Sequence, residues 1–152
     1  MGDDFLVMAE SLFHGLGDHM HMVLSTSHGG RVCSRTMSVV LSGGRFYFQT
    51  DRMMRKYRQL VDNPQVALCK DNLQVEGLCE ELGHPLEHEV FRQRFSSCFP
   101  GSFAAYSSLS DERLFVVSPL FIQRWLYDDG IPYVERFDFI DRQYSKTAYA
   151  GR

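Results

Sequence analysis

Two Gly-Gly dipeptides constrain this chain more than any other feature. His28-Gly29-Gly30-Arg31 and Ser42-Gly43-Gly44-Arg45 separate three runs rich in β-branched and aromatic residues, 19–28, 32–41 and 45–50. A two-residue primed turn needs positive φ at its central positions, which glycine adopts without steric cost. The three runs therefore read as an antiparallel meander.

The rest of the chain alternates periods around that meander. Phe5, Ala9, Leu12 and Leu16 recur at helical spacing, with Asp3 or Asp4 placed to cap and Gly15 or Gly17 to end, so residues 3–16 read as an amphipathic helix. Met53, Met54, Tyr57, Leu60 and Val61 mark a helix over 52–61, stopped by Asn63-Pro64. Runs 65–69 and 73–81 read as strands, and Leu86, Val90, Phe91, Phe95 and Cys98 as a helix entered through Pro85. Pro100 and the serine-rich stretch 107–110 read as loop, flanking a short helix at 103–106. Runs 114–117, 121–126 and 134–139 are strand-like, with Asp129-Gly130 as a turn. After Asp141 the apolar period fades, which predicts a loosely held tail. The expectation is one domain over 1–152, mainly β with inserted helices: a small antiparallel barrel with helices at its ends.

Composition narrows the function classes. A chain of 152 residues with 44% hydrophobic residues can bury a core without disulfides or a structural metal. The net charge of −3 argues against a general nucleic-acid coat while leaving room for a local anion site. No apolar run is long enough to span a bilayer, and the acidic Met1-Gly2-Asp3-Asp4 start is unlike a secretory signal, so the expected location is cytoplasmic. Cys33, Cys69, Cys79 and Cys98 form no Cys-x-x-Cys pair and read as small hydrophobes in a reducing compartment.

The segment from Phe46 to Tyr57 carries the chemistry. A strand ending at Thr50 runs directly into the predicted helix, whose N-terminus offers free amides and partial positive charge. Arg55 and Lys56 lean back toward that end, and a planar guanidinium beside a point cation suits a phosphate. Arg35 sits mid-strand between Cys33 and Met37, where a charge needs a partner. The plainer alternatives are a solvated helix face bearing Arg52, Arg55, Lys56 and Arg58, and pairing of Arg35 with Glu76 or Glu80.

Five pieces in register carry a resemblance. Arg35-Thr36-Met37, Tyr47-Phe48-Gln49-Thr50, Arg55-Lys56 with Gln59-Leu60, Asn63-Pro64-Gln65-Val66-Ala67 and Val75-Glu76-Gly77 together resemble the flavin-binding split barrel family of pyridoxamine 5′-phosphate oxidase, over roughly residues 18–138. The resemblance implies a split antiparallel β-barrel that forms a homodimer with FMN at the interface. It implies that Arg55 and Lys56 contact the FMN phosphate, with Arg35 reaching the phosphate or ribityl chain. It assigns Thr36, Met37, Gln49 and Thr50 to the ribityl and isoalloxazine, and a polar ring contact to Asn72 or Gln74. The implied activity is that of an FMN-dependent oxidoreductase on an unknown small molecule, with a non-catalytic flavin- or haem-binding protein as the alternative. No catalytic acid or base is nominated, because the flavin supplies the reacting atoms.

Two departures stand out. The oxidase carries a lysine five residues after its strand arginine, where this chain has Val40, and its C-terminal Arg-Leu-x-Pro signature is missing here. Determinants for a phosphorylated pyridoxal-type substrate are therefore lacking, and the chain is more similar to the short members of the family. Elsewhere the bland readings prevail. His84 and His88 have metal-ligand spacing, but His84 precedes a proline and reads as a cap, so no metal site is expected. His19 and His21 share a strand face and support haem only remotely. Trp125, Tyr127 and Phe121 read as core or dimer interface.

Overall fold

The computed structural model describes residues 2–151, and the cap expected of Asp3 lies outside the side chains described. In chain order the elements are α1 (Gly2–Leu16), β1 (His19–His28), β2 (Arg31–Ser42), β3 (Arg45–Asp51), α2 (Arg55–Asp62), β4 (Gln65–Lys70) and β5 (Leu73–Gly83). They continue with a 3-10 turn (Pro85–Glu87), α3 (Glu89–Cys98), helical turns over 100–107, β6 (Glu112–Asp128), β7 (Ile131–Asp138) and β8 (Gln143–Ala148). Among the described residues no helix is long and apolar enough to cross a membrane.

The meander forms as its turns require. Gly29-Gly30 and Gly43-Gly44 all take positive φ, as do Asp129-Gly130 between β6 and β7. β1 pairs antiparallel with β2 in unbroken register from His19↔Val40 to His28↔Arg31. The sheet runs β3-β2-β1-β4-β5-β6-β7-β8, and an additional β3–β6 pairing closes β1 to β6 into a six-stranded antiparallel barrel. The expected mainly β split barrel with inserted helices is what the chain forms.

β6 is the element that links barrel and extension. Its first half pairs with β3, from Glu112 to Val117, while its second half pairs with β7 from Phe121 to Asp128. The switch falls where β5 shifts register between Glu76 and Gly77. A side chain at 77 would place its Cβ 2.6 Å from Val117 Cγ1 and 2.7 Å from the Ser118 carbonyl oxygen, so only glycine fits the crossing. The runs 114–117 and 121–126, read as two strands, are thus one continuous strand that carries Pro119 through the bend.

Two cores result. The larger fills the barrel with Met22, Leu24, Val39, Phe46, Phe48, Leu68, Val75, Phe115 and Ile122, and α1 closes it with Phe5, Ala9 and Leu12. The smaller lies outside the barrel wall, where Phe91, Phe95 and Phe99 of α3 and its end cover Val40 and Leu114.

Four local expectations are corrected. The tail after Asp141 is not loose: 143–148 pairs with β7 from Asp138↔Gln143 to Tyr133↔Ala148. Backbone pairing at an edge needs no apolar period, so the sequence gives no hydrophobic sign of it. The helix through Pro85 is split, with the His84 ring capping the Leu86 N–H at 3.2 Å and a new helix starting at Glu89. Pro100 opens a helical turn rather than a loop. The helix after β3 starts at Arg55, leaving Met53 and Met54 exposed in the preceding turn.

Candidate functional site

Arg35 lies opposite Leu24 on β2 and shares its strand face with the buried Met37 and Val39. Apolar residues fill that face deeper in the barrel, while here α2 covers it with Gln59. The guanidinium donates to Thr26 Oγ1 at 2.9 Å and to Gln59 Oε1 at 2.6 Å, with longer contacts to the carbonyls of Leu24 and Cys33. Thr26 also donates to Gln59 Oε1 at 2.9 Å, and Gln59 donates to the Cys33 sulfur at 3.4 Å. Neither Glu76 nor Glu80 takes part. Arg35 is therefore fixed by neutral acceptors alone.

Arg55 and Lys56 occupy the first two positions of α2, whose first turn contains no acidic residue and whose N-cap, Met54, makes no side-chain cap. Their ion-pair record matches that of Arg35: among the described residues none of the three is in a salt bridge. Burial pulls the Arg35 guanidinium below its usual range, and the Arg55 charge pulls the same way. Lys56 is likewise held down, first by burial and then by the Arg35 charge, with Glu112 and Asp51 opposing. Like charges converging with no carboxylate in salt-bridge contact raise the potential at an anion site, although Glu112 and Asp51 offset part of it at Lys56. Next to Arg55 a cavity of about 290 Å³ is lined by His28, Arg31, Arg55, Arg58 and Gln59.

The end of β3 adds buried polar groups. Thr50 lies in the strand and not at the helix start, and it is only 4% exposed. Its hydroxyl has no hydrogen-bond partner, the one such buried side-chain atom among the described residues. An orphan donor–acceptor of this kind calls for an explanation, and an absent ligand is one. Gln49 points to the opposite side of the strand and accepts from Ser107 at 2.8 Å. Glu112, 4% exposed on the strand opposite, has its carboxyl pushed up to about 7, by burial first and then by the Asp51 charge. Lys56, His84 and Gln49 pull it back only in part.

The remaining candidates lie elsewhere. Met37 packs in the main core. Thr36 faces outward in a row across the sheet that runs Thr36, Val23, Cys69, Gln74, Gln123 and Arg136. Asn72 is exposed in the turn before β5 rather than on the strand with Gln74. The fold thus brings Arg35, Arg55 and Lys56 together and sets Thr36 and Gln74 on the open sheet face. Residues that the sequence reading did not assign to the site, Arg31, Arg58, Gln59 and Thr26, join this side. Arg58 and Arg55 are three apart on one helix, a signal that could have grouped them; Thr26 and Arg31 gave none.

His84 and His88 do not converge on an ion: His88 Nε2 lies 2.7 Å from the Leu82 carbonyl, and His84 Nε2 lies 2.9 Å from that of Leu109. Val40 is 1% exposed beneath α3.

The family model described as pyridoxamine 5′-phosphate oxidase matches residues 10–125. No curated protein matches the sequence. Seventy solved chains do match. One is a pyridoxamine 5′-phosphate oxidase-related, FMN binding protein from Nostoc punctiforme, with TM-score 0.59, 14% identity, and coverage of 98% of this chain and 94% of that one. Another is an F420 reductase, with TM-score 0.55, 24% identity, and coverage of 68% and 88%. The haem storage protein HutZ from Vibrio cholerae aligns with TM-score 0.57, 17% identity, and coverage of 72% and 87%. At these identities the likeness is one of fold.

Proposed function

The chain belongs to the pyridoxamine 5′-phosphate oxidase family, and we propose that it is an FMN-binding oxidoreductase of that family, acting on a small molecule as a homodimer. The observation that carries the reading is the convergence of Arg35, Arg55 and Lys56 with no salt bridge to any of them among the described residues. A phosphate dianion supplies the missing charge, and the orphaned Thr50 hydroxyl supplies a further hydrogen bond beside it. The residues present fit FMN. Arg55 and Lys56 would hold its phosphate, Arg35 the phosphate or ribityl chain, and Thr50 the groups beyond, while Gln49 faces the other side of the strand with Ser107. When bound, the flavin supplies hydride or electron transfer at its ring system.

The chain's own residues bind, orient and exclude water. Gln59 and Thr26 hold the Arg35 fork in one plane before any ligand arrives, so little side-chain freedom is lost on binding. Thr36 and Gln74 stand on a sheet face that also bears Val23, Trp125 and the exposed Tyr127. A second copy covering that face would bring them to the ring and shield it from solvent.

Purified protein with a flavin spectrum, or a melting temperature raised by FMN and not by haem, supports the reading. A colourless protein indifferent to saturating FMN overturns it, because a ligand at about 100 times its Kd adds ~2.7 kcal/mol. Light scattering reports the dimer. Pyridoxine 5′-phosphate is expected to turn over far below ~1 per second, an ordinary enzymatic rate. The position of the substrate-side lysine is here a buried valine in an apolar cluster.

A further inference from the structure

A second set of donors gathers where the start of β1 meets the end of α3. Asp18 immediately precedes β1, His19 is its first residue, and Cys98 is the last residue of α3. One ligand atom from each lies within 4.8 Å of the other two. The segments are far apart in sequence and meet because Phe91, Phe95 and Phe99 lay α3 against the outer wall of the barrel.

The imidazole is already oriented. His19 Nδ1 lies 2.9 Å from Asp18 Oδ1, and the ring meets Phe99 edge-on with centroids 5.5 Å apart. His21, on the same strand face, meets the same phenyl ring at 5.3 Å. Asp18 and His19 are exposed and Cys98 half-buried, so an ion reaches the cluster from solvent without any opening of the fold. None of the three residues takes part in the Arg35 network.

The donor set selects the cation. A carboxylate oxygen, an imidazole nitrogen and a thiolate sulfur form a mixed set of the type that zinc takes, whereas calcium and magnesium take oxygen throughout. Tetrahedral zinc bonds of about 2.0–2.3 Å put neighbouring donors roughly 3.3–3.8 Å apart, so side-chain rotation of the order of 1 Å closes the site. We propose that Asp18, His19 and Cys98 form a binding site for a zinc-class divalent cation, with one coordination position open to water or an exogenous ligand. As the metal–sulfur bond forms, the thiol proton leaves to solvent. The Arg94 guanidinium, the nearby positive charge, is tied to the Leu41 carbonyl at 2.7 Å and remains outside the donor set. The bound ion would pin the end of α3 to the start of β1.

Cobalt(II) is the probe, titrated into the full chain with whatever flavin it carries. Its d–d bands lie to the red of flavin absorption and are intense only in tetrahedral geometry. The expected result is one equivalent bound with a saturable band, displaced by zinc(II). Cys98→Ser should abolish the band, His19→Ala should weaken binding about tenfold or more, and Cys69→Ser, at an exposed thiol elsewhere, should leave both unchanged. Zinc should also raise the melting temperature of the wild type and not that of His19→Ala. A band that never saturates below millimolar cobalt, or one that survives Cys98→Ser, overturns the assignment. Circular dichroism of each variant separates loss of the site from loss of the fold.

Discussion

Two arginines lie half-buried beside core residues on their strand faces, Arg35 next to Met37 and Arg124 next to Ile122, and they are served in opposite ways. Arg124 on β6 meets Glu135 on β7 at 2.6 Å, and the same carboxylate accepts from Tyr144 on β8 at 2.6 Å. Glu135 is 3% exposed, and burial together with its bond to Glu135 raises the Tyr144 phenol above its usual range. Arg35 has no such carboxylate, only a hydroxyl, an amide oxygen and backbone carbonyls. The first arginine is complete within the chain and serves the fold. The second is held by neutral acceptors alone, and it is the charge that the proposed phosphate would meet.

The comparison breaks most visibly at Glu135. Glu135→Ala strands the Arg124 charge and the Tyr144 hydroxyl; chemical denaturation should show a loss of ~3 kcal/mol, at the low end for a broken buried pair because Arg124 is partly exposed. FMN affinity of the folded fraction should not change. Should FMN affinity fall as well, the two regions are not independent.

Next come the unmatched cations. Arg55→Ala and Lys56→Ala should each weaken FMN by ~1.5–3 kcal/mol while barely affecting riboflavin, which lacks the phosphate. Stability without ligand should hold or rise slightly, since like charges are relieved. Arg58 lines the same cavity as Arg55 and is not a neutral control; the exposed Arg92 on α3 serves instead. Equal losses for both ligands would mean that the substitutions act through folding.

Glu112 sharpens the contrast, being a buried carboxyl that acts on the cluster through Lys56. Its carboxyl stands at about 7 in the folded chain against an ordinary 4.5. Between those values the folded state binds more protons than the unfolded one, so this group's contribution to stability falls as pH rises to about 7 and is level above. As Glu112 ionises it also lowers the positive potential at Lys56, and FMN binding should weaken by up to about tenfold, or ~1.4 kcal/mol. Titrations of wild type and Glu112→Gln across that window should differ, with the variant flatter. The FMN phosphate, which also titrates near ~6, cancels in the difference.

The smallest effect belongs to an exposed pair. Lys146 lies 3.2 Å from Asp128 beside the Glu135 network, yet Lys146→Ala should cost under ~1 kcal/mol, because water already solvates both charges. A larger loss would show that β8 depends on its side chains rather than on backbone pairing.

Much of the fold was legible because its signals are local. Gly29-Gly30, Gly43-Gly44 and Asp129-Gly130 declare turns by their backbone needs, and alternating burial along β5 matches its alternating sequence. The α2 boundary was misplaced by three residues because Met53 and Met54 fit a helical stripe that the Asp51–Met54 turn withholds from the core. β8 was missed for the opposite reason, since only Tyr144 of its side chains turns inward. At the site, Arg55-Lys56 could be read from adjacency and Arg35 from its place on an inward strand face. Arg31 could not, since only the cavity wall gives it a role.

The sequence by itself determined the meander, the α1 amphipathic face and the cationic start of α2, because periodicity, glycine conformation and charge act over a few residues. Only the tertiary structure decided that β3 returns to β6 and closes the barrel, that Glu135 rather than a ligand neutralises Arg124, and that Asp18 and His19 meet Cys98. Those outcomes depend on which distant surfaces bury each other. A carboxylate far along the chain counts as a partner only once packing removes the water between the two.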